Sequence, residues 1–300
     1  MSSVHKSVLS LLSVFPKPFV EQFAARYVAG ETWREAVQEV RKLNTLGLSA
    51  TLDILGEQSR SVGEIEKVKG SYLQLYDAIE QEGLDCNISL KLSHLGLGHE
   101  DRLAVKSLRE ILEQAKQLNN FLRIDMENSR YTDATIRNFR ECLERYKGVG
   151  IVLQSYLRRS RSDLANLMGK RVNVRVCKGI YRESREIAFQ DRDGIRQSFI
   201  QLVQEGLLGD AYIAIATHDR YLMDTLETWI GNKGISRDRY EFQVLYGVPV
   251  GGRLESLVKR GHKVRVYVPF GEDWYPYAMR RLTENPRMVG YILKNFFSKM

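Results

Sequence analysis

Cysteine, proline and long apolar runs are all scarce in this sequence of 300 residues. Its three cysteines, Cys86, Cys142 and Cys177, are too few and too irregularly spaced for a disulfide framework or a zinc site. No apolar run approaches the ~20 residues that a membrane-spanning helix needs. No linker rich in proline, glycine or serine divides the chain. These absences argue against a disulfide-stabilised secreted domain and a spanning protein, and they favour a reducing compartment.

Charge is unevenly distributed along the chain, although the total of +8 is moderate. Residues 1–150 carry 20 Lys and Arg against 21 Asp and Glu, whereas residues 151–300 carry 25 against 16. The second half therefore favours an anionic partner, such as an acidic membrane surface or a phosphate-bearing ligand. No compact basic run is interleaved with aromatic residues, so we expect no nucleic-acid partner.

Common catalytic and nucleotide-binding motifs are also missing. No GxGxxG follows a predicted strand, no P-loop occurs, and GVPVGG at 247–252 has the wrong spacing for either. The histidines of HLGLGH, His94 and His99, lack nearby carboxylate or cysteine ligands, so we expect no metal. His218 follows a predicted strand, where a structural hydrogen bond and a ligand contact both remain open.

Short aliphatic segments instead alternate with charged segments of helical periodicity along most of the chain. Strict alternation of strand and helix predicts a parallel sheet, and eight such units favour a closed (β/α)8 barrel of the TIM type over an open doubly wound sheet. Residues 1–46 would form an N-terminal helical arm, and residues 47–300 the catalytic barrel. The predicted strands are residues 48–55, 87–93, 121–128, 150–155, 172–178, 211–217, 240–247 and 263–269.

Several predicted strands alternate polar and aliphatic residues, as in NISLKLS at 87–93. In a barrel covered by helices the aliphatic face points outward, so the polar face lines the interior. Burying the charge of Lys91, Asp125 or Arg175 without a partner would cost several kcal/mol of folding free energy per residue. These residues must therefore pair with one another or with a ligand at the C-terminal strand ends, where barrel active sites lie.

The stretch VYVPFGEDWYPYAMRRLTENP at 266–286 places Arg280 and Arg281 side by side after several aromatic residues. Adjacent residues on a helix do not face each other, so the pair is either two unrelated solvent contacts or a clamp aimed along the helix axis. An arginine holds a carboxylate through two hydrogen bonds, which lysine cannot do. Cations beside aromatic walls suit a small carboxylate substrate next to a flat, electron-accepting cofactor.

Six motifs, taken in order, resemble the proline dehydrogenase family. They are SLKLS, RIDMEN, VRVCKGIY, ATHD, YEFQVLYGV and the RVYVPFG to LTENP segment, and they cover residues from about 86 to 286. The resemblance implies a distorted (β/α)8 barrel that binds FAD noncovalently and oxidises L-proline to Δ1-pyrroline-5-carboxylate in proline catabolism. Hydride would pass from C5 of proline to N5 of the flavin, and a membrane quinone would receive the electrons.

The resemblance also assigns expected roles by motif position. Catalytic roles fall on Lys91, Asp125 and Arg175. The expected substrate-binding residues are Lys91, Tyr267, Tyr277, Arg280, Arg281 and Glu284. The expected FAD-binding residues are Met126, Gln154, Arg175, Lys178, Gly179, Tyr181, Thr217, His218 and Gln243.

Three departures from the family pattern, Ile180, Arg182 and Asp219, concern flavin packing more than reaction type. Nothing in the chain resembles the aldehyde-oxidising domain of bifunctional relatives, so a separate pyrroline-5-carboxylate dehydrogenase is expected downstream. The expected location is the cytoplasm, with peripheral contact at the inner face of the cell membrane. An alternative is a barrel lyase that forms a Schiff base through Lys91, because such enzymes use a buried lysine at a strand end.

Overall fold

A computed structural model describes residues 24–284 of the chain, and side chains as far as residue 281. Eight parallel strands, numbered in chain order, close into a barrel in which each strand pairs with its sequence neighbours. The strands are β1 (Ser49–Ile54), β2 (Cys86–Leu90), β3 (Leu122–Ile124), β4 (Val149–Gln154), β5 (Asn173–Cys177), β6 (Tyr212–Ala216), β7 (Tyr240–Leu245) and β8 (Val264–Phe270). The predicted (β/α)8 barrel is confirmed, and the open sheet is excluded because β1 also pairs with β8.

Helices follow the strands as predicted, and several begin after a residue whose side chain caps the first turn. The helices are α1 (Trp33–Thr45), α2 (Val62–Gln81), α3 (Asp101–Gln117), α4 (Thr132–Arg145), α5 (Ser160–Ala165), α6 (Arg192–Leu208), α7 (Arg220–Lys233), α8 (Arg253–Lys259) and α9 (Trp274–Glu284). Ser61, Asp191 and Asp219 accept hydrogen bonds from the first turns of α2, α6 and α7. Within the described residues, no helix has the length and apolar character required to cross a membrane.

The described part of the predicted N-terminal arm packs directly on the barrel. Helix α1 contacts both β1 and β8, and thus covers the seam where the barrel closes. The preceding residues Ala24, Tyr27 and Val28 form a small core with Trp274 and Ala278 of α9. Residues 1–23 lie outside the described residues, so the proposed boundary at residue 46 stays a prediction.

The barrel interior is polar, and its N-terminal half is filled by buried charged side chains. Arg265 Nε lies 3.1 and 3.2 Å from the two carboxylate oxygens of Glu241. Arg123 donates to the Asn173 side chain at 2.6 Å and to backbone carbonyl oxygens of β4 and β5 at 3.0 Å. These contacts satisfy groups that would otherwise be costly to bury, and they leave the open space at the C-terminal end of the barrel.

Candidate active site

A cavity of about 1260 Å³ occupies the C-terminal end of the barrel. Its walls come from the ends of the strands, the loops after β1, β5 and β6, and one side of α9. Such a volume exceeds that of most small-molecule pockets, which hold roughly 300 to 1,000 Å³. The cavity therefore has room for a substrate together with a large cofactor.

Arg175, Asp125 and Tyr267 form a hydrogen-bonded group on the cavity floor. Arg175 Nη1 donates to Asp125 Oδ1 at 2.7 Å, and its Nε donates to Gln243 Oε1 at 2.6 Å. The Tyr267 hydroxyl donates to the other oxygen of Asp125 at 2.9 Å, and Ser89 donates to the first at 2.6 Å. The guanidinium carbon of Arg175 also lies 5.1 Å from the centre of the Tyr267 ring. Asp125 thus fixes an arginine and a tyrosine that both line the cavity.

Lys91 pairs with Asp53 beside this group. Lys91 Nζ lies 3.1 and 3.0 Å from the two carboxylate oxygens of Asp53. Asp53 is buried, with 1% of its surface exposed. Burial alone would lower the pKa of Lys91, but the carboxylates of Asp53 and Asp125 outweigh this effect and raise it. Lys91 is therefore a charged ammonium group at neutral pH.

Helix α9 presents three predicted substrate-binding residues to the cavity. Tyr277, Arg280 and Arg281 lie three and four positions apart, so they share one face of the helix. The Arg281 guanidinium lies 5.3 Å from the centre of the Tyr277 ring. Arg280 Nη2 lies 3.8 Å from Glu57 Oε1 in the loop after β1. The two adjacent arginines thus both reach the cavity rather than facing opposite sides.

The loop after β1 reaches the cavity because a buried network holds it. Gln58 has a positive φ of 57°, and its N–H donates to Ser93 Oγ at 3.2 Å. The Ser93 hydroxyl in turn donates to the buried carboxylate of Glu127, and the Ser93 N–H donates to the same carboxylate at 2.9 Å. Gly56 precedes this segment, and a Cβ at that position would overlap the His94 ring. The network places Glu57 opposite Tyr181 and Arg280.

A second group of charges surrounds Asp219 at the start of α7. Lys178 Nζ lies 2.6 Å from Asp219 Oδ2, and Arg196 donates to both oxygens at 2.8 and 2.7 Å. Burial raises the pKa of Asp219, but the hydrogen bonds from Arg196 and Lys178 outweigh burial and hold it well below its usual range. Arg192, one turn before Arg196, and Arg220, next to Asp219, also line the cavity. Four cations against one carboxylate make this part of the cavity favourable for an anion.

His218 is neutral and oriented by the backbone. The Leu245 N–H donates to His218 Nε2 at 2.8 Å, so the ring carries its proton on Nδ1. Burial, followed by the charge of Arg281, lowers the pKa of His218 to about 4. A neutral ring with one N–H can donate a hydrogen bond to a cofactor without adding charge.

The structure gathers the predicted site residues around one cavity. Those that line it are Lys91, Asp125, Met126, Gln154, Arg175, Lys178, Gly179, Tyr181, Thr217, His218, Gln243, Tyr267, Tyr277, Arg280 and Arg281. The side chain of Glu284 lies outside the described residues, so its role stays a prediction. The roles of the other residues also remain predictions, because shared position alone does not assign them.

The sequence reasoning overlooked Asp53, Glu57 and Arg196. Asp53 follows the same alternation that identified the other strands, because Ser49, Thr51 and Asp53 oppose the aliphatic residues of β1. Applying that pattern to β1 would have found it. Glu57 lies in a loop and Arg196 on a helix face, where no sequence pattern separates them from ordinary surface charges.

Comparison with known sequences shows which proteins this chain is similar to. A family model described as proline dehydrogenase matches residues 36–292. The chain is 37% identical to Proline dehydrogenase 1 of Bacillus subtilis strain 168, over 96% of this chain and 95% of that protein. It is 35% identical to Proline dehydrogenase of Deinococcus radiodurans, over 95% of this chain and 96% of that protein.

Comparison with solved structures supports the fold. The crystal structure of proline utilization A from Bdellovibrio bacteriovorus, inactivated by N-propargylglycine, superposes with a TM-score of 0.82 at 23% sequence identity. The match covers 88% of this chain and 33% of that longer chain. At this identity, the likeness establishes the barrel fold alone.

Proposed function

The chain belongs to the proline dehydrogenase family, and from that premise we propose that it oxidises L-proline to Δ1-pyrroline-5-carboxylate with bound FAD. The observation that carries the proposal is the gathering of cationic and aromatic side chains in one cavity of about 1260 Å³. The electrons would pass to a membrane quinone, which the protein would meet peripherally. A separate pyrroline-5-carboxylate dehydrogenase would then consume the product.

The residues around the cavity fit FAD. Gly179 has a φ of 102°, and a Cβ there would overlap the Tyr156 ring, so only glycine allows the backbone to follow this wall. The cations around Asp219 suit a diphosphate, partly because Arg220 begins a helix whose N-terminus favours anions. The residues that would hold the cofactor are Met126, Gln154, Arg175, Lys178, Gly179, Tyr181, Thr217, His218 and Gln243. When bound, FAD supplies the acceptor for the hydride that leaves C5 of proline.

The chain's own residues would bind and orient the substrate. Arg280, Arg281 and Lys91 would hold the proline carboxylate, while Tyr267 and Tyr277 would pack against the ring. Glu284 would hold the arginines in place. Holding the substrate and the cofactor in one relative orientation can lower the activation barrier by up to ~7 to 11 kcal/mol. Arg175, which donates a hydrogen bond to Asp125, would stabilise the negative charge that develops in the transition state.

The Schiff-base lyase alternative conflicts with the state of Lys91. A nucleophilic lysine needs a lowered pKa, so that an appreciable fraction of the amine is neutral. The two hydrogen bonds to Asp53 and the raised pKa keep Lys91 protonated instead. Lys91 is therefore better suited to binding a carboxylate than to attacking a carbonyl.

Titration of the purified protein with L-proline under nitrogen tests the proposal. We expect a yellow protein whose flavin absorbance bleaches in proportion to added proline and returns on addition of a soluble quinone. D-proline is the matched control, because it carries the same functional groups with the opposite configuration at Cα. A protein that stays colourless with added FAD, or that ignores L-proline, would contradict the proposal.

A further inference from the structure

The cations at the C-terminal end of the barrel interior are balanced by acidic residues. Lys91 binds Asp53 and Arg175 binds Asp125, so these four buried side chains carry no net charge. These two pairs thus offer no surplus positive charge to a substrate. Each cation is available only in the position that its carboxylate allows.

Asp53 is placed to control Lys91 from the neighbouring strand. Asp53 pairs with Ser89 in the register between β1 and β2. Lys91 lies two residues beyond Ser89, directly after the end of β2, and its side chain also lines the cavity. Both carboxylate oxygens of Asp53 contact Lys91 Nζ, which fixes the ammonium in two directions. Both residues line the cavity, although the Lys91 side chain is only 14% exposed.

We propose that Asp53 is a positioning residue that keeps the Lys91 ammonium charged and directed into the cavity, where it meets the carboxylate of the substrate. The substrate part of this inference rests on the proposed function. An ammonium group withdrawn from water without a partner tends to lose its proton. Asp53 prevents this loss, and it also stops the long lysine side chain from adopting other rotamers.

Other charged groups around Lys91 limit the size of the effect. The groups that interact electrostatically with Lys91 are Asp53 from β1, Glu57 from the following loop, Asp125 and Glu127 from beyond β3, and His94. Within the described residues, Asp53 is the one member of this set that accepts a hydrogen bond from the Lys91 ammonium. Removing it should therefore lower the pKa of Lys91 even though the other carboxylates remain.

Chemical labelling of Lys91 tests the inference without relying on turnover. The holoenzyme and Asp53→Asn would be treated with trace acetic anhydride from pH 7 to 10, and acetylation of Lys91 would be measured by mass spectrometry relative to exposed Lys106. We expect Asp53→Asn to raise the ratio about tenfold or more near pH 8, because each unit of lowered pKa raises the neutral fraction tenfold. The acetylation ratio of Asp53→Glu should lie between those of the parent and Asp53→Asn. Asp85→Asn, at the other end of the β1–β2 pair, should match the parent.

Kinetics supply the second measurement. In Asp53→Asn we expect kcat/KM for L-proline to fall as pH rises through the range where Lys91 becomes reactive, with recovery at lower pH. Labelling of Lys91 that does not change in either Asp53 variant would overturn the inference. A parent protein that fails to oxidise proline would overturn the proposed function, and the labelling result would still decide the role of Asp53.

Discussion

At the scale of single residues, Arg281 of α9 can be tested by a substitution that keeps its charge. Arg281 lies against the Tyr277 ring, and its planar guanidinium can offer two parallel hydrogen bonds to a carboxylate. Lysine keeps the charge and loses that geometry. In Arg281→Lys we expect KM for L-proline to rise at least about tenfold, equivalent to the ~1.4 kcal/mol per decade of affinity.

The flavin content of Arg281→Lys provides the control for this prediction. Absorbance of the purified variant should show the same FAD occupancy as the parent, since the substitution alters the substrate side of the cavity. A KM equal to that of the parent would show that Arg281 does not bind the carboxylate.

Buried histidines make a separate contribution, to the pH dependence of stability. Burial, followed by the charge of Lys91, lowers the pKa of His94 to about 3, and burial lowers that of His218 to about 4. A lowered pKa in the folded state stabilises the protein above the unfolded value of ~6.5, and that contribution is lost as pH falls. Glu127 acts in the opposite direction, because burial raises its pKa.

We therefore expect the free energy of unfolding to fall between pH 6.5 and 5, and to fall less steeply in His94→Gln. Each such histidine contributes about 1.4 kcal/mol per pH unit in this window. Denaturant unfolding at pH 7.5, 6.5, 5.5 and 5 measures the slope. His99→Gln, the same change at an exposed position, should keep the parental slope, and an equal slope in His94→Gln would contradict the assignment.

At the scale of elements, the Ser93 side chain links the loop after β1 to a buried carboxylate. Ser93 Oγ accepts from the Gln58 N–H, and its hydroxyl donates to buried Glu127. Ser93→Ala removes both bonds and leaves the carboxylate with one donor fewer. The expected loss of stability is about 1 to 3 kcal/mol, together with faster amide exchange in residues 56–59.

Hydrogen exchange measured by mass spectrometry separates this local effect from general weakening. In Ser93→Ala, amides of β5 should continue to exchange slowly, whereas amides of the loop after β1 should exchange faster. Ser71→Ala, which removes a surface bond within α2, is the matched control and should change neither. Unchanged exchange in residues 56–59 would show that the Ser93 side chain does not hold this loop.

The strands of this barrel could be predicted because their signal is local. Alternation between polar and aliphatic residues depends only on neighbours in sequence, and each of the eight predicted strands lies within a few residues of the observed one. The least accurate was β3, which ends at Ile124 although the pattern continues to residue 128. Strand β3 ends at Ile124, although the Asp125 N–H still donates to the Leu90 carbonyl oxygen of β2. The side chains of Asp125 and Glu127 accept hydrogen bonds from Ser89 and Ser93.

Pairing among the buried charges was expected, and Arg175 does pair with Asp125. The full set of partners could not be predicted, because it depends on which residues meet across a closed barrel. The alternation in β2, β3 and β5 correctly predicted a charged interior, and it indicated a surplus of positive groups around the cavity. The surplus expectation was incomplete: Asp53 and Asp125 balance Lys91 and Arg175, so an excess of cations arises at α9 and around Asp219. Only the register between strands reveals that arrangement.

At the scale of the whole molecule, one cavity joins residues from most of the strands. A ligand that contacts several strands in a closed barrel stabilises the whole cooperative unit, by RT ln(1 + [L]/Kd). FAD at about 100 times its Kd should therefore add ~2.7 kcal/mol, which raises Tm by roughly 5 to 10 °C in a domain of this size.

Comparing flavins of different charge tests whether the cations around Asp219 contribute to that stabilisation. Thermal unfolding of protein freed of flavin would be followed with added riboflavin, FMN or FAD, at low and at high salt. We expect the shift in Tm to increase in that order, and salt to reduce it for FAD more than for riboflavin, because charge attraction at a partly exposed site is screened. Equal shifts for riboflavin and FAD would assign the binding energy to the barrel end alone and leave Lys178, Arg192, Arg196 and Arg220 without a role in it.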